Sequence, residues 1–283
     1  MTWNRAASLA ILFLFGAGVA AFVIGFGIEP GRLMVKRYAL KGERIPSALD
    51  GVKIVVIADP HVGSPQTDLA ALRRVVDRAN GLSPDIVLLL GDYVIRNVLL
   101  GSFVDPEPIA ETLGDLRARQ GVYAVLGNHD WWHDGPAMTA ALESNQIKVL
   151  ENEAVAVPLP TGSLWLAGVA DDSTRDPAPA ATVAAIPQDA PIILFAHDPA
   201  IFPEVPHRVL LTLAGHTHGG QVYLPGFGAL ITPGQAPHRH AYGPILEEGK
   251  RMIVSGGIGT SILPVRFNMP PEILLITLQS GAS

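Results

Sequence analysis

The chain has 283 residues, 48% of them hydrophobic and 16% charged, which excludes a disordered protein and allows one large domain or two small ones. The net charge of −6, without a basic cluster, argues against a nucleic-acid binder. Because there is no cysteine, disulfides, zinc–thiolate sites and a cysteine nucleophile are excluded.

The first predicted element is a membrane helix over residues 6–28, a stretch without a charged residue. At about 1.5 Å per residue, such a helix spans the roughly 30 Å core of a bilayer. The alternative is a cleaved signal peptide with its cleavage site at residues 18–20, but the apolar stretch continues past that site to residue 28. The sequence therefore favours an N-terminal tail and uncleaved anchor in residues 1–28.

The flanking charges predict the orientation of this anchor. Arg5 is the one basic residue before it, whereas Arg32, Lys36, Arg37, Lys41 and Arg44 follow it. The positive-inside rule then predicts a single-pass membrane protein whose following domain lies on the cytoplasmic face. We interpret residues 29–50 as a juxtamembrane connector and residues 51–283 as the folded domain.

From residue 51 onward, short apolar runs alternate with amphipathic segments, a pattern that predicts a single α/β domain with helices covering sheets. Residues Thr161 and Gly162 are predicted to form the turn of a hairpin. The predicted helices lie at 67–80, 107–117 and 136–144. The predicted strands lie at 52–58, 85–90, 122–126, 155–157, 164–169, 192–196, 209–213, 252–255 and 273–278.

Five of the apolar runs end in residue types that bind metal ions. Beyond the carboxyl ends of neighbouring strands in an α/β sheet, such residues converge on one rim. Each cluster alone is weak evidence, because these residues also form turns or satisfy hydrogen bonds in a core. The five together are a strong signal. In chain order the clusters are Asp59 with His61; Asp92; Asn128 with His129 and Asp130; His197; and His216 with His218.

Other histidines are interpreted as having no role in this site. His238 and His240 have the spacing of His216 and His218, but prolines and a glycine surround them and no predicted strand leads into them. We therefore expect a surface loop at residues 238–240. His133 and His207 are likewise not assigned to the site.

The residue types in the five clusters suit a site with two divalent ions. Carboxylates and imidazoles bind Mn, Fe and Zn, and Asp92 is the natural bridge between two ions. Two carboxylates, two divalent ions and one hydroxide sum to about +1, which favours a phosphate anion. Two ions roughly 3.5–4 Å apart activate a bridging water and clamp a phosphoryl group. The sequence thus predicts a phosphoester hydrolase.

The ordered motifs Asp-x-His, Gly-Asp, Gly-Asn-His-Asp, His and Gly-His-x-His resemble those of the calcineurin-like metallophosphoesterases, over about residues 53–278. The resemblance implies an α/β fold of two packed mixed β-sheets flanked by helices. His129 would contact the phosphate and protonate the leaving oxygen, and Asp130 would orient His129. The implied ligands are Asp59, His61 and His218 for one ion, Asn128, His197 and His216 for the second, and Asp92 as the bridge.

The segment GHTHGGQV at residues 215–222 is similar to the bacterial membrane-anchored branch, which includes UDP-2,3-diacylglucosamine hydrolases of lipid A synthesis. The same resemblance extends to the segments GT at 259–260, LPVRF at 263–267 and PPE at 270–272. This implies a lipid-linked phosphoester or pyrophosphate as substrate, with no obligate protein partner. One departure is Gly256, where relatives often carry an arginine that faces phosphate. The alternatives are a phosphodiesterase or phosphatase for soluble esters, a non-catalytic membrane scaffold, and a metallohydrolase that cleaves another bond, such as an amide.

Overall fold

The computed structural model describes residues 2–160 and 162–281, except for the side chains of residues 2–4 and 6. Thr161 of the predicted hairpin turn therefore lies outside the described residues, while Gly162 begins a strand. The helices are α1 Thr2–Val23, α2 Leu69–Asn80, α3 Pro106–Leu113, α4 Asn128–Ser144 and α5 Pro179–Ala184. The strands are β1 Met34–Gly42, β2 Lys53–Ile57, β3 Ile86–Leu89, β4 Val122–Ala124, β5 Ile147–Val149, β6 Glu153–Leu159, β7 Gly162–Gly168, β8 Ile192–Phe195, β9 Leu211–Ala214, β10 Tyr223–Leu224, β11 Gly228–Ala229, β12 Gly243–Glu247, β13 Lys250–Val254 and β14 Glu272–Ser280.

The N-terminal helix protrudes from the rest of the protein. α1 continues into a π-helical turn, Ile24–Ile28, and the segment Ala7–Gly31 is long and apolar enough to cross a membrane. Almost none of this segment is buried against the protein. Its apolar side chains therefore have no core to pack into, which is the property expected of a membrane-spanning helix.

The remainder is built on two six-stranded mixed sheets. Their strand orders are β1-β14-β2-β3-β4-β5 and β12-β13-β9-β8-β7-β6. Ile54 and Val56 of β2 pack between the sheets, against side chains such as Leu166 and Leu213. Val55 and Ile57 point to the other face, which α2, α3 and α4 cover. Because both faces of β2 are buried, its run is continuously apolar. The predicted pair of packed mixed sheets flanked by helices is confirmed.

Part of the predicted connector belongs to a sheet. Within residues 29–50, β1 pairs with β14 in parallel along its whole length. The basic residues of this stretch suggested a membrane flank, but Arg37 and Lys41 alternate with Tyr38 and Leu40, which pack towards the core. An edge strand tolerates charges on its exposed face. The basic residues therefore led to the prediction of a connector where the structure has a strand.

The structure confirms one local prediction and corrects another. The helix predicted at 136–144 is confirmed as the second part of α4, which breaks at Asp134, where φ is −162°, because Pro136 cannot continue the preceding turn. The segment His238–His240 is a 3₁₀ turn, and it is not wholly a surface loop. His238 is exposed, whereas His240 is fully buried with its Nε2 2.9 Å from Glu247 Oε1.

Candidate metal centre

The five predicted clusters meet at one rim, where the carboxyl ends of strands from both sheets come together. Asp59 and His61 follow β2, Asp92 follows β3, and the backbone joins them: the His61 N–H donates to the Asp92 carbonyl at 3.0 Å. The Gly215 N–H after β9 donates to the carbonyl of His197 at 2.8 Å. All nine predicted site residues are buried, namely Asp59, His61, Asp92, Asn128, His129, Asp130, His197, His216 and His218.

The backbone at this rim is strained. Five of the predicted ligands adopt the left-handed conformation, with φ between 40° and 66°. Aspartate and histidine tolerate this region better than most residues, yet each instance costs free energy and persists only where the surrounding structure fixes it. Concentration of this strain at one rim is typical of a functional site. The five residues are Asp59, His61, Asp92, His216 and His218.

The imidazole tautomers direct lone pairs at a carboxylate. His61 Nδ1 donates to the carbonyl of Val94 at 3.2 Å, and His197 Nδ1 donates to the carbonyl of Leu90 at 2.7 Å. In the neutral ring each Nε2 is then an acceptor, and both lie 3.4 Å from Asp92 Oδ2. Acceptors facing a carboxylate repel one another unless a cation or a proton lies between them. The donor set therefore fits a metal ion.

The remaining ligand atoms fall into two groups on either side of this carboxylate contact. His61 Nε2 is 3.0 Å from His218 Nε2, and Asp59 belongs to the same group. His197 Nε2 is 2.9 Å from His216 Nδ1 and 3.1 Å from Asn128 Oδ1. The structure thus brings together the same two sets of residues that the resemblance implies.

The electrostatics of this cluster keep most of its imidazoles neutral. Burial lowers the pKa of His61 and of His216 to about 3. His197 differs, because Asp92 and Asp59 overcome burial and raise its pKa well above the usual value. Burial would raise the pKa of Asp92, but His197 and His129 hold it well below the usual range. A proton on His197 thus balances Asp92 where no cation is bound.

Asp130 has a different task from the one predicted. Its Oδ2 accepts the N–H groups of Gly127 at 2.9 Å and Asp92 at 2.8 Å, and its Oδ1 accepts those of Tyr93 and Val94. No hydrogen bond joins this carboxylate to the His129 ring in the described part of the chain. Asp130 therefore ties the loop after β3 to the loop after β4.

His129 is held by its backbone, and a nitrogen of its ring lies within 4.8 Å of ligand atoms of His61 and Asp92. Its N–H donates to Asp92 Oδ1 at 2.8 Å, and its ring packs on Trp132 at 5.2 Å. The buried Nδ1 has no hydrogen-bond partner among the described residues. Burial lowers the pKa of this imidazole.

An open cleft of about 420 Å³ lies over the cluster and is lined by Asp92, Asn128, His129, His216 and His218. Arg96 also lines it, with its guanidinium 5.5 Å from the centre of the Trp132 ring. The sequence interpretation missed Arg96. Arg96 lies four residues after Asp92, in the loop that follows β3, and this proximity to a predicted ligand could have identified it.

Gly256 does not line this cleft. Its N–H donates to Glu272 Oε1 at 3.0 Å, and a Cβ added there would lie 2.9 Å from Met269 Sδ. The fully buried Arg266, to which the sequence analysis gave no role in the site, donates to the Gly256 carbonyl at 2.8 Å and lies 3.4 Å from His218 Nδ1. Arg266 therefore fixes the position of a ligand histidine from behind the site.

A buried carboxylate–imidazole cluster beneath an open cleft, on a two-sheet sandwich, defines a metal-dependent hydrolase. The sequence profile described as calcineurin-like phosphoesterase matches residues 52–220, and the chain belongs to this family. It is a metallophosphoesterase, an enzyme that hydrolyses phosphoesters.

Three relatives show how far the similarity extends. "Uncharacterized metallophosphoesterase YkuE" of Bacillus subtilis is 31% identical, over 94% of this chain and 95% of the relative. "Phosphodiesterase YaeI" of Escherichia coli is 27% identical, over 93% and 96% of the two chains. "Transmembrane protein with metallophosphoesterase domain" of Danio rerio is 32% identical over 84% of this chain, which spans 56% of that longer protein.

Proposed function

We propose that the protein hydrolyses phosphoesters with two divalent ions that share Asp92. The observation that carries the proposal is the position of Asp92 Oδ2, 3.4 Å from the Nε2 atoms of both His61 and His197. The donor set suits Mn, Fe or Zn. When bound, the ions supply Lewis acidity and positive charge at the phosphoryl group. Asp59, His61 and His218 would hold the first ion, and Asn128, His197 and His216 the second.

The chain's own groups would position the substrate and move the proton. Arg96 reaches the cleft and offers charged donors to phosphoryl oxygens, which supplies the cation that Gly256 lacks. His129 lines the same cleft and donates a proton to the leaving oxygen. Burial lowers its pKa, and the negative charge of a phosphoester bound beside it would raise that pKa again.

We further propose that α1 anchors the enzyme in a membrane and that the substrate is a phosphoester or pyrophosphate carried by a lipid. The segment Ala7–Gly31 is long and apolar enough to span a bilayer, and the zebrafish relative is named a transmembrane protein. Tethering raises the local concentration of a substrate held in the same membrane. The basic residues after the anchor support a cytoplasmic active site.

The metal proposal is tested by metal content. The full chain is purified in detergent, stripped with a chelator and reconstituted with manganese. Wild type should bind about two equivalents, His61→Ala should lose mainly one, and Asp92→Ala should lose affinity at both positions. His207→Ala changes an exposed histidine outside the site and is the control. About one equivalent in a fully active wild-type enzyme would contradict a two-ion site.

A second candidate function is hydrolysis of soluble phosphodiesters. It is supported by the open cleft and by the name of the Escherichia coli relative, a phosphodiesterase. The two candidates are separated by comparing lipid-linked esters with soluble diesters that have the same leaving group, in mixed micelles. Preference for the lipid-linked ester supports the first. Equal or faster turnover of the soluble ester supports the second and removes the reason given for the anchor.

A further inference from the structure

Apolar side chains stand exposed around the mouth of the cleft. They lie on three segments without a charged residue, at 97–104, 219–237 and 256–265. Leu100 is 82% exposed, Phe227 is 86% exposed and Ile262 is 69% exposed. Exposed apolar groups that cluster on one surface mark an interaction site, because water disfavours them. We name these three segments the apolar rim.

The apolar rim is one connected surface. The Leu99 N–H donates to the carbonyl of Ile262 at 2.9 Å, which joins the first segment to the third. The Gln221 side chain joins the second to the third: it donates to the Leu263 carbonyl at 3.0 Å and accepts the Ser261 N–H at 2.6 Å. Each segment also lines the cleft itself, through Asn97, Pro233 and Ile262. The rim therefore surrounds the entrance to the metal centre.

The apolar N-terminal helix leaves the protein beside this rim. The Arg266 N–H donates to the carbonyl of Gly25 at 2.9 Å, and a Cβ added at Gly25 would lie 3.2 Å from Val265 Cγ2. The Gln66 amide donates to the carbonyl of Phe26 at 3.0 Å. Because α1 departs from this point, a bilayer crossed by α1 would lie on the side of the protein that carries the cleft.

The charged residues near the end of the N-terminal helix also favour a bilayer as the neighbour of this surface. A second cleft of about 450 Å³ is lined by Arg32, Arg74 and Arg78, close to Pro30. Basic side chains near the end of the anchor attract anionic lipid headgroups. The uncharged apolar rim is suited to contact the boundary between the headgroups and the acyl chains. A protein seated on the rim would instead cover the mouth of the cleft that lies over the metal centre.

We propose that the apolar rim inserts into the bilayer surface that α1 crosses, so that the metal centre opens onto the membrane interface. The substrate would then be a phosphoester whose lipid part stays in the bilayer while its phosphate reaches the ions. The inference rests on the proposed membrane anchor and deepens the proposed function. It adds a second membrane contact, at the rim, which the anchor alone does not require.

The test of this contact uses the natural absence of cysteine in the chain. Leu100→Cys and Phe227→Cys are labelled with a polarity-sensitive fluorophore in the full chain. The protein is placed in vesicles of phosphatidylcholine and phosphatidylglycerol with quencher-bearing lipids. The control is Leu246→Cys on β12, 71% exposed and outside the rim. We expect strong quenching at positions 100 and 227 and little at 246.

A fourth label, on Phe15→Cys within α1, separates the two proposals. Quenching at position 15 without quenching at 100 and 227 would overturn the insertion of the rim and leave the anchor intact. Absence of quenching at position 15 would overturn the anchor itself. Excimer formation between pyrene labels at position 227, without lipid quenching, would identify a second copy as the occupant and overturn the inference.

A kinetic measurement gives an independent readout. Leu100→Asp and Phe227→Asp place a charge on the rim away from the cleft lining, and Leu100 has φ +62°, a conformation that aspartate accepts. We expect about tenfold slower hydrolysis of a nitrophenyl phosphoester that carries a long alkyl chain in vesicles, because the charge opposes insertion. Hydrolysis of bis(nitrophenyl) phosphate in solution should not change. Equal rates, or equal losses on both substrates, would contradict the inference.

Discussion

The two oxygens of Asp92 serve different partners. Oδ1 accepts the backbone N–H of His129 at 2.8 Å, and Oδ2 faces the imidazoles of His61 and His197. The same carboxylate therefore places the backbone of His129 beside the two groups of ligand atoms. This arrangement explains how a histidine can sit next to the ligands while its own ring keeps an unpartnered nitrogen.

The first prediction concerns the role of His129 as a general acid. His129→Ala should lower turnover by about 10²–10⁴-fold, the usual contribution of a general acid, with metal content unchanged. The loss should shrink for nitrophenyl esters, whose leaving group needs no proton. Turnover of alkyl and nitrophenyl esters checks this, with the exposed His133→Ala as control. Loss of bound metal in His129→Ala would mean that His129 is a ligand.

The second prediction concerns Asp130, whose pKa burial raises to about 7. At pH 8 its carboxylate is ionised and accepts four N–H groups. Asp130→Asn turns an amide N–H₂ toward those donors and should lower the free energy of unfolding by about 2–4 kcal/mol. Urea unfolding of the metal-free protein in detergent at pH 8 measures this. Asp134→Asn, on the exposed side of α4, is the control, and equal effects would contradict the assigned role.

At the scale of elements, the loops that follow β3 and β4 are in contact because glycine removes the side chains between them. Gly91 has φ +87°, and a Cβ there would collide with the backbone N of Gly127. A Cβ at Gly127 would collide in turn with Asp92 Oδ1. Close approach of these loops is what allows one carboxylate, Asp130, to hold both.

The third prediction uses two glycines that share a left-handed backbone. Gly249 has φ +75° with open space around it, so Gly249→Ala should cost only the conformational strain of about 1 kcal/mol. Gly91→Ala should cost a further ~1–3 kcal/mol from the collision and should weaken metal binding. Urea unfolding and metal titration of the two variants measure the difference. Equal stability would show that the loops have room to separate.

The fourth prediction is that metal binding releases protons from the protein, so that metal affinity depends on pH. Burial raises the pKa of Asp59 to about 7, and the carboxylates around His197 raise its pKa. Both groups hold protons more tightly in the metal-free protein than in the unfolded chain, and bound ions displace those protons. Affinity should therefore rise from pH 6 to pH 8, with each displaced proton contributing about tenfold per pH unit. Calorimetry in buffers of different ionisation enthalpy counts the protons, and pH-independent affinity would contradict the prediction.

The fifth prediction concerns orientation. A green fluorescent protein fused to the C-terminus should fluoresce in bacterial cells, and alkaline phosphatase fused there should be inactive, because five basic residues follow the anchor between Arg32 and Arg44. Fusions to a protein of known topology provide the controls. The reverse pattern would place the active site on the other side of the membrane. It would leave the metal chemistry unaffected.

The apolar anchor segment, the buried strands and the five ligand clusters were all predictable from the amino-acid sequence. These features are local: an apolar run and the polar residue at its end are neighbours in the chain, and their order identifies the family. The packed pair of mixed sheets followed from that family resemblance. Short strands with polar neighbours, such as β5 and β12, left no such local signal.

Contacts between residues far apart in the chain became visible only in the folded protein. The contacts of Asp130 cross 36–38 residues, and the contact between Arg266 and His218 crosses 48. The partners of such side chains depend on how loops pack, and periodicity does not encode that. The same reason explains why Arg96 reaches the cleft, why Gly256 faces Met269, and why His240 is buried. It also explains why the apolar rim appears as one surface only after three distant segments have come together beside α1.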